Sequence, residues 1–361
     1  MRPRALLLAL ASVAGCARAP RAPATAAELA EADPIHDTIG EFRRSERVAC
    51  AEGTDLVYVV SRDGTLHSFD PSELRFRRIG RLDCPGVGRS LPESMAVDRS
   101  GQAWVGFDNG TLALASITTA QCVASRVNVY SAHIGTRFGM GFAPTAEGGI
   151  GGESLFLTTE PSFGRLPDGR MTRGQSLLVR IDDGAHPRLA GVFPSEVRGL
   201  TGELSSRSDG RLFGFFTGEP YFSLAEIDPA TAALRWQKRL TGMRFNSAAG
   251  GSWAFAAVGA EFYFFWADGR ESSTVTRLRE DGTLEHVIRD AGMRIVGAGA
   301  STCATAKPSR SDVAVEPPPS DPAPAPAPAP KAEPTPAPST PFSKLPKLPP
   351  PPPPPPPRKP R

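Results

Sequence analysis

The sequence predicts an all-β chain: a single five-bladed β-propeller closed by a C-terminal strand, followed by a disordered proline-rich C-terminal tail. A three-strand grammar recurs five times at a spacing near about 45 residues, the mark of a propeller rather than of one large sheet. Its clearest copy is Arg211 to Leu240, RLFGFFTGEPYFSLAEIDPATAALRWQKRL. Tight-turn dipeptides that accept positive backbone angles punctuate the runs at Asp63-Gly64, Asn109-Gly110, Asp183-Gly184, Asp209-Gly210, Asp268-Gly269 and Asp281-Gly282. Composition then breaks sharply: 24 of the 38 prolines lie between Lys307 and Arg361, a stretch with almost no apolar side chains to bury. Six blades is the alternative count.

The N-terminus opens Met1-Arg2-Pro3-Arg4 and continues ALLLALASVAG, a basic segment followed by a short apolar one, as in a signal peptide. About eleven apolar residues are too few to span a bilayer core of roughly 30 Å as a helix. Val13-Ala14-Gly15-Cys16 resembles the lipobox of bacterial lipoproteins. That resemblance implies cleavage before Cys16, lipidation of its side chain, and anchoring on a membrane surface. Ala17, rather than Asp, after the cysteine implies outer-membrane sorting by the same resemblance. An ordinary secretory cut after Ala17-Arg18-Ala19 is the competing reading, but Pro20 would then follow the scissile bond, where proline is disfavoured. The expected organisation is a signal peptide at 1–15, a tether at 16–46, the propeller at 47–306 and the tail at 307–361.

The other four copies are LVYVVSRDGTLHSFDPSELRFRRIGRL from Leu56, QAWVGFDNGTLALASITTAQC from Gln102, SLFLTTEP with QSLLVRIDDGAHPRLAGVF from Ser154, and EFYFFWADGRESSTVTRLREDGTLEHVI from Glu261. Before each unit except the first stands a short run of small residues: SMAVDRSG at Ser94, RFGMGFAPT at Arg137, RGLTGELSS at Arg198 and SWAFAAVG at Ser252. These are innermost strands, where crowded backbones demand small side chains. The first unit lacks one, and MRIVGAGASTC at Met293 to Cys303 supplies it from the other end of the propeller sequence. This closure sets Cys303 beside Cys50, by analogy with the turn that joins Val97 to Gln102 in the second unit. A bridge there closes a 253-residue separation, on the order of 4 to 5 kcal/mol in the loop-closure account. Cys84 and Cys122 pair by elimination. Four buried free thiols are the alternative, disfavoured in an exported chain.

Lone charge arguments exclude little. The tail holds eight Lys and Arg against four Asp and Glu, more than the whole chain's net +3, so the remaining residues are slightly acidic and their balance gives no reason to expect a basic nucleic-acid surface. Alternating Pro-Ala from Asp321 to Pro338 and nine prolines from Pro349 to Pro357 favour polyproline II. With Lys344, Lys347, Arg358, Lys359 and Arg361 at its tip, the tail suits an anionic envelope polymer, a membrane or a partner's aromatic groove, or it is low-complexity sequence without a partner. PSFGRLPDGRMTRG at Pro161 to Gly174 interrupts the third unit with Arg165, Arg170 and Arg173. It is either a candidate binding loop or a solvated connection.

Catalytic signatures are missing: the sequence has no GxSxG, HExxH or Walker loop. The five histidines, His36, His67, His133, His186 and His286, stand at no metal-ligand spacing, and the turn aspartates lack the spaced acids of a calcium loop. Neither a metal nor a cofactor is implied. The repeated TxEPxF sets Glu160 and Glu219 at matching places in adjacent units, as weak candidate acids at one rim, although internal repetition accounts for the match.

Ile227-Asp228-Pro229-Ala230-Thr231-Ala232-Ala233-Leu234-Arg235-Trp236 resembles the repeats of quinoprotein-like propellers, with Ala232 where that family has Gly. The resemblance implies that Trp236 docks between blades. LHSFDP, SMAVDRSGQAWV, GRLFGFF and IVGAGASTC further resemble uncharacterised bacterial predicted lipoproteins with β-propeller repeats. The leading expectation is a monomeric, non-catalytic, outer-membrane-anchored lipoprotein whose propeller binds an envelope protein or an anionic polymer and no nucleic acid. The alternative is a periplasmic propeller enzyme, a quinoprotein-type dehydrogenase or a glycan-active enzyme.

Overall fold

The structure is a computed structural model that describes residues 48–129, 137–145, 152–160, 174–182, 186–218, 220–244, 250–269 and 271–305. The chain divides into two units, Met1–Val313 and Ala314–Arg361, and the second lies wholly outside the described residues. So do Cys16 and the sequence from which the tether is read.

Each repeat folds into one antiparallel four-stranded sheet, and five such sheets form a ring. Blade I contains β1 (Val57–Ser61), β2 (Thr65–Asp70) and β3 (Arg75–Arg81). Blade II is β4 (Pro92–Val97), β5 (Gln102–Phe107), β6 (Thr111–Ser116) and β7 (Cys122–Asn128). Blade III is β8 (Met140–Pro144), β9 (Glu153–Thr158), β10 (Leu177–Ile181) and β11 (Pro187–Val192). Blade IV is β12 (Gly202–Ser206), β13 (Leu212–Phe216), β14 (Tyr221–Ile227) and β15 (Leu234–Arg244). Blade V is β16 (Ser252–Val258), β17 (Glu261–Ala267), β18 (Thr274–Leu278) and β19 (Leu284–Ile288).

The last strand, β20 (Ile295–Ala300), returns to blade I and pairs antiparallel with β1, Val57 opposite Ala300 and Val60 opposite Gly297. The protein is therefore a five-bladed β-propeller whose first blade takes its inner strand from the C-terminal end of the ring. Pairing strands so distant in sequence costs loop-closure entropy. The Cys50–Cys303 disulfide, with Cα atoms 5.9 Å apart, lies just beyond this pair and lowers that cost by holding the two ends together in the unfolded chain. A second disulfide joins Cys84 to Cys122, tying the end of blade I to the outer strand of blade II.

Alternation along each strand sends apolar side chains to both faces of every sheet, so each of the five seams between blades holds its own apolar cluster. Blades IV and V meet through Phe213, Phe215 and Phe222 against Phe255, Phe262 and Phe264. Blade V meets blade I through Tyr263 and Phe265 against Phe69. Each fully buried aromatic ring contributes roughly 2–3 kcal/mol.

At the axis the constraint is different, because five inner strands must approach backbone to backbone. A Cβ on Gly139 would lie 2.1 Å from the Gly202 carbonyl oxygen, and one on Gly141 would lie 2.7 Å from the Leu204 carbonyl carbon. Gly297 and Gly299 of β20 face β4 in the same way, at 2.8 Å from Met95 N and 2.9 Å from Ala96 C. Alternate glycines thus let β8 close on β12 and β20 close on β4. The turn between third and fourth strands carries a second repeated constraint: Leu74, Ala120, Ala232 and Gly282 hold φ of 50°, 59°, 63° and 88° at equivalent places. Ala232 therefore keeps the left-handed backbone that a glycine would supply, at about 1 kcal/mol of strain.

Gly141→Ala and Gly299→Ala are each expected to lower thermal stability by about 1–3 kcal/mol or more, the cost of overpacking. Gly64→Ala, with φ of 81° but nothing within 4 Å of its Cβ, should cost only about 1 kcal/mol. Chemical denaturation of the three variants checks the ranking.

Candidate functional site

The inner strands all start at one rim of the ring, here the entrance rim, and end at the opposite exit rim. The connection of each outer strand to the next blade, and each turn between second and third strands, returns to the entrance rim. Glu160 and Gly174, which follow β9 and precede β10, therefore both stand at the entrance rim.

Glu93, the second residue of β4, stands at the entrance. Burial pushes its carboxyl above the ordinary range, Arg137 and Arg62 oppose this, and Asp108 and Glu160 add to it. Its Oε2 is buried without a hydrogen-bond partner. One residue on, Ser94 donates from Oγ to Oε2 of Glu203 at 2.7 Å and accepts the Met140 N–H at 3.1 Å. Ser94 belongs to blade II, Met140 to blade III and Glu203 to blade IV, so this network crosses the axis between blades that are not neighbours. Complete burial pushes Glu203 well above the usual carboxylate range, the Ser94 bond only partly offsetting it, and the nearby Glu93 charge raises it further.

The exit rim is crossed as well. Glu153, the first residue of β9 in blade III, accepts a short hydrogen bond from Thr302 Oγ1, which follows β20 in blade I. Arg99 donates to Thr302 Oγ1 at 2.9 Å and to the Val48 carbonyl at 2.9 Å, and lies 4.0 Å from Glu153 Oε1. Glu153 is fully buried and its Oε2 has no hydrogen-bond partner. Burial pushes its carboxyl up to about 7, with Thr302 and Arg99 pulling the other way. Neighbouring Asp98 is also raised by burial. It closes its turn by accepting from Ser100 Oγ at 2.7 Å, Gln102 N at 3.0 Å and Trp104 Nε1 at 3.3 Å. The channel is thus crossed at two levels by carboxyl groups that favour their neutral forms, each held by a hydroxyl from a distant blade.

Of the residues singled out by sequence, Glu160 sits at the entrance rim, 3.8 Å from Arg137 in an ion pair, and its N–H donates to the Arg137 carbonyl. Its proposed counterpart Glu219, the loop arginines Arg165, Arg170 and Arg173, and Cys16 lie outside the described residues. Trp236, expected between blades, stands on outer strand β15 with 39 % of its surface exposed. Sequence reasoning missed Glu93, Ser94, Glu153 and Glu203. The available signal was the lone acid in an otherwise small and apolar inner strand, Glu203 in TGELSS. Among the described residues no cluster of three or more His, Cys, Asp and Glu could hold a metal ion, and no helix is long and apolar enough to cross a membrane.

No protein-family model and no curated protein matches the chain. Solved structures do. A lectin from Aleuria aurantia is similar at 14% identity and a TM-score of 0.40, over 68% of this chain and 80% of that one. A luciferin-regenerating enzyme is similar at 14% identity and a TM-score of 0.35, over 68% and 74%. TolB from Acinetobacter baumannii is similar at 10% identity and a TM-score of 0.35, over 66% and 54%.

A carboxyl raised on folding stabilises the native state below its unfolded pKa, and that contribution is lost as pH rises through the folded value. For Glu153 the window runs from its ordinary value near 4.5 to about 7. Glu93, Asp98 and Glu203 act with the same sign. His67, which burial pushes below its ordinary value, acts with the opposite sign over the same range. The four carboxyl groups outnumber it, so the protein should melt at a higher temperature at pH 5.5 than at pH 8. Glu153→Gln, which keeps the neutral form, should remove about 2 kcal/mol of that difference. Melting curves of both proteins across this range are the check, and the opposite slope would contradict the assignment.

Proposed function

We propose that the protein is an outer-membrane-anchored lipoprotein, held by lipid at Cys16, whose propeller is a binding or scaffolding module of the cell envelope rather than an enzyme. The crossing of the axis by Ser94–Glu203 and Thr302–Glu153 carries this reading. These groups occupy the axis at two levels, one near each rim, with each hydrogen bond joining blades that are not neighbours. What remains for a partner are the rims, the clefts between blades and the outer strands. Rigid rings with variable connections suit that role.

The N-terminal pattern supports the anchor: a basic start, a short apolar run, then small residues before Cys16. The proline-rich tail, with its cationic tip, supports an interaction beyond the ring. The rival reading, a quinoprotein-type dehydrogenase or a glycan-active enzyme, requires a reactive group in the channel with access to solvent.

Two measurements test the proposal. Labelled palmitate should enter the full-length protein expressed in a diderm bacterium and be absent from Cys16→Ser, which should leave the membrane fraction. Capture from envelope extracts should then retrieve a specific partner with the intact chain. A version ending at Thr305 assigns that capture to the ring if binding is kept and to the tail if it is lost. Failure of both forms to capture any specific component, or a bound chromophore in the purified protein, would overturn the binding-module reading.

A further inference from the structure

The blade IV stretch singled out by its sequence holds an arrangement that the channel network does not use. Trp236 and Leu91 are the exposed large apolar side chains among the described residues, and Trp236 is the aromatic one. Leaving an indole in water forgoes its burial energy. Here the ring is fixed in place: Nε1 donates to Glu226 Oε2 at 2.8 Å across the β14–β15 pair, where Glu226 is directly opposite Trp236.

The same carboxylate draws two guanidinium groups to the ring. Arg211 and Arg235 each lie 3.6 Å from Glu226, and both are substantially exposed. Phe213, opposite Glu226 on the other side, lies 6.0 Å from the indole and carries the Arg211 guanidinium over its own ring at 5.7 Å. Phe213 also packs on Phe262 of blade V at 4.9 Å, so the platform sits at the mouth of the IV–V cleft near the exit rim. Lys238, two residues along the same face of β15 as Trp236, completes the frame.

We propose that Trp236, Arg211, Arg235 and Glu226 form a binding site for an uncharged saccharide, a reading that rests on the propeller's role as a binding module. A pyranose offers an apolar C–H face to an aromatic ring and adjacent hydroxyls to planar donors and acceptors. The indole supplies the flat surface and the guanidinium groups supply paired donors. The buried Glu226 holds the indole and both guanidinium groups in register, and the more exposed Asp209 and Asp228 supply acceptors. Charge favours a neutral ligand, because Arg211 is also bound by Asp209 at 2.7 Å and Arg235 by Asp228 at 3.3 Å. The frame is close to balanced. A proline-rich segment fits less well: it needs a groove lined by several aromatic rings, and the basic tip of this chain's own tail would meet Arg211, Arg235 and Lys238.

The test applies full-length protein to immobilised neutral pyranosides of gluco, galacto and manno configuration with their N-acetyl and 6-deoxy forms. Binding is followed in solution by tryptophan emission with the same sugars. At least one sugar should bind saturably, Trp236→Ala should abolish binding, and Arg235→Ala should weaken it about tenfold. Trp236→Phe, which keeps a ring and guards against misfolding, should retain part of the affinity, with melting temperatures unchanged throughout. Binding that survives Trp236→Ala, or no binding across the panel, overturns the inference. So does Trp236-dependent binding of a synthetic 339–361 peptide in place of sugar. No sugar binding across the panel, with envelope capture intact, would remove the saccharide site and leave the module reading standing.

Discussion

The close approach of five inner backbones at one axis is the constraint on which this fold depends. A ring of five sheets brings those strands nearer than ordinary side chains allow, so β20, and β8 together with Gly139 just before it, carry glycines at alternate positions toward their neighbours. Once the strands meet, little space is left for side chains between them. What occupies the axis must be polar enough to bond across it and must find partners on blades far away in sequence. Ser94 with Glu203, 109 positions apart, and Thr302 with Glu153, 149 apart, meet that demand.

Those crossings unite the ring in a way that the seams do not. Each apolar cluster joins only two adjacent blades, as expected where every repeat touches its neighbours. The carboxyl groups join blades that share no seam, and at the exit rim Arg99 brings in Val48, where the described chain begins, beside the Cys50–Cys303 bond. Closure of the ring and the polar axis therefore form one connected assembly. Burial makes their carboxyl groups favour the neutral form, in which a carboxyl can also donate.

Much of the architecture was legible in the sequence because its causes are local. Turn dipeptides, alternating apolar runs and glycine-rich inner strands each announce themselves over a few residues, and the missing inner strand of the first repeat pointed to Met293–Cys303. The site was less legible. Glu203 is the lone acid of an inner strand read for its small residues, and only the ring sets it against Ser94. Trp236 was singled out as a packing residue by resemblance, yet β15 is an outer strand and leaves one side of its ring in solvent. Glu160 attracted notice through a repeated turn motif, whereas its described neighbour is the Arg137 guanidinium. In each case the missing information was which blade lies opposite.

Hydrogen exchange of the native, full-length, oxidised protein tests the closed ring most directly. If β20 is the inner strand of blade I, the amides of β1 and β20 exchange as slowly as those of β12 and β13, through one global opening. Fast exchange along β20 while the other inner strands stay protected would contradict the closure.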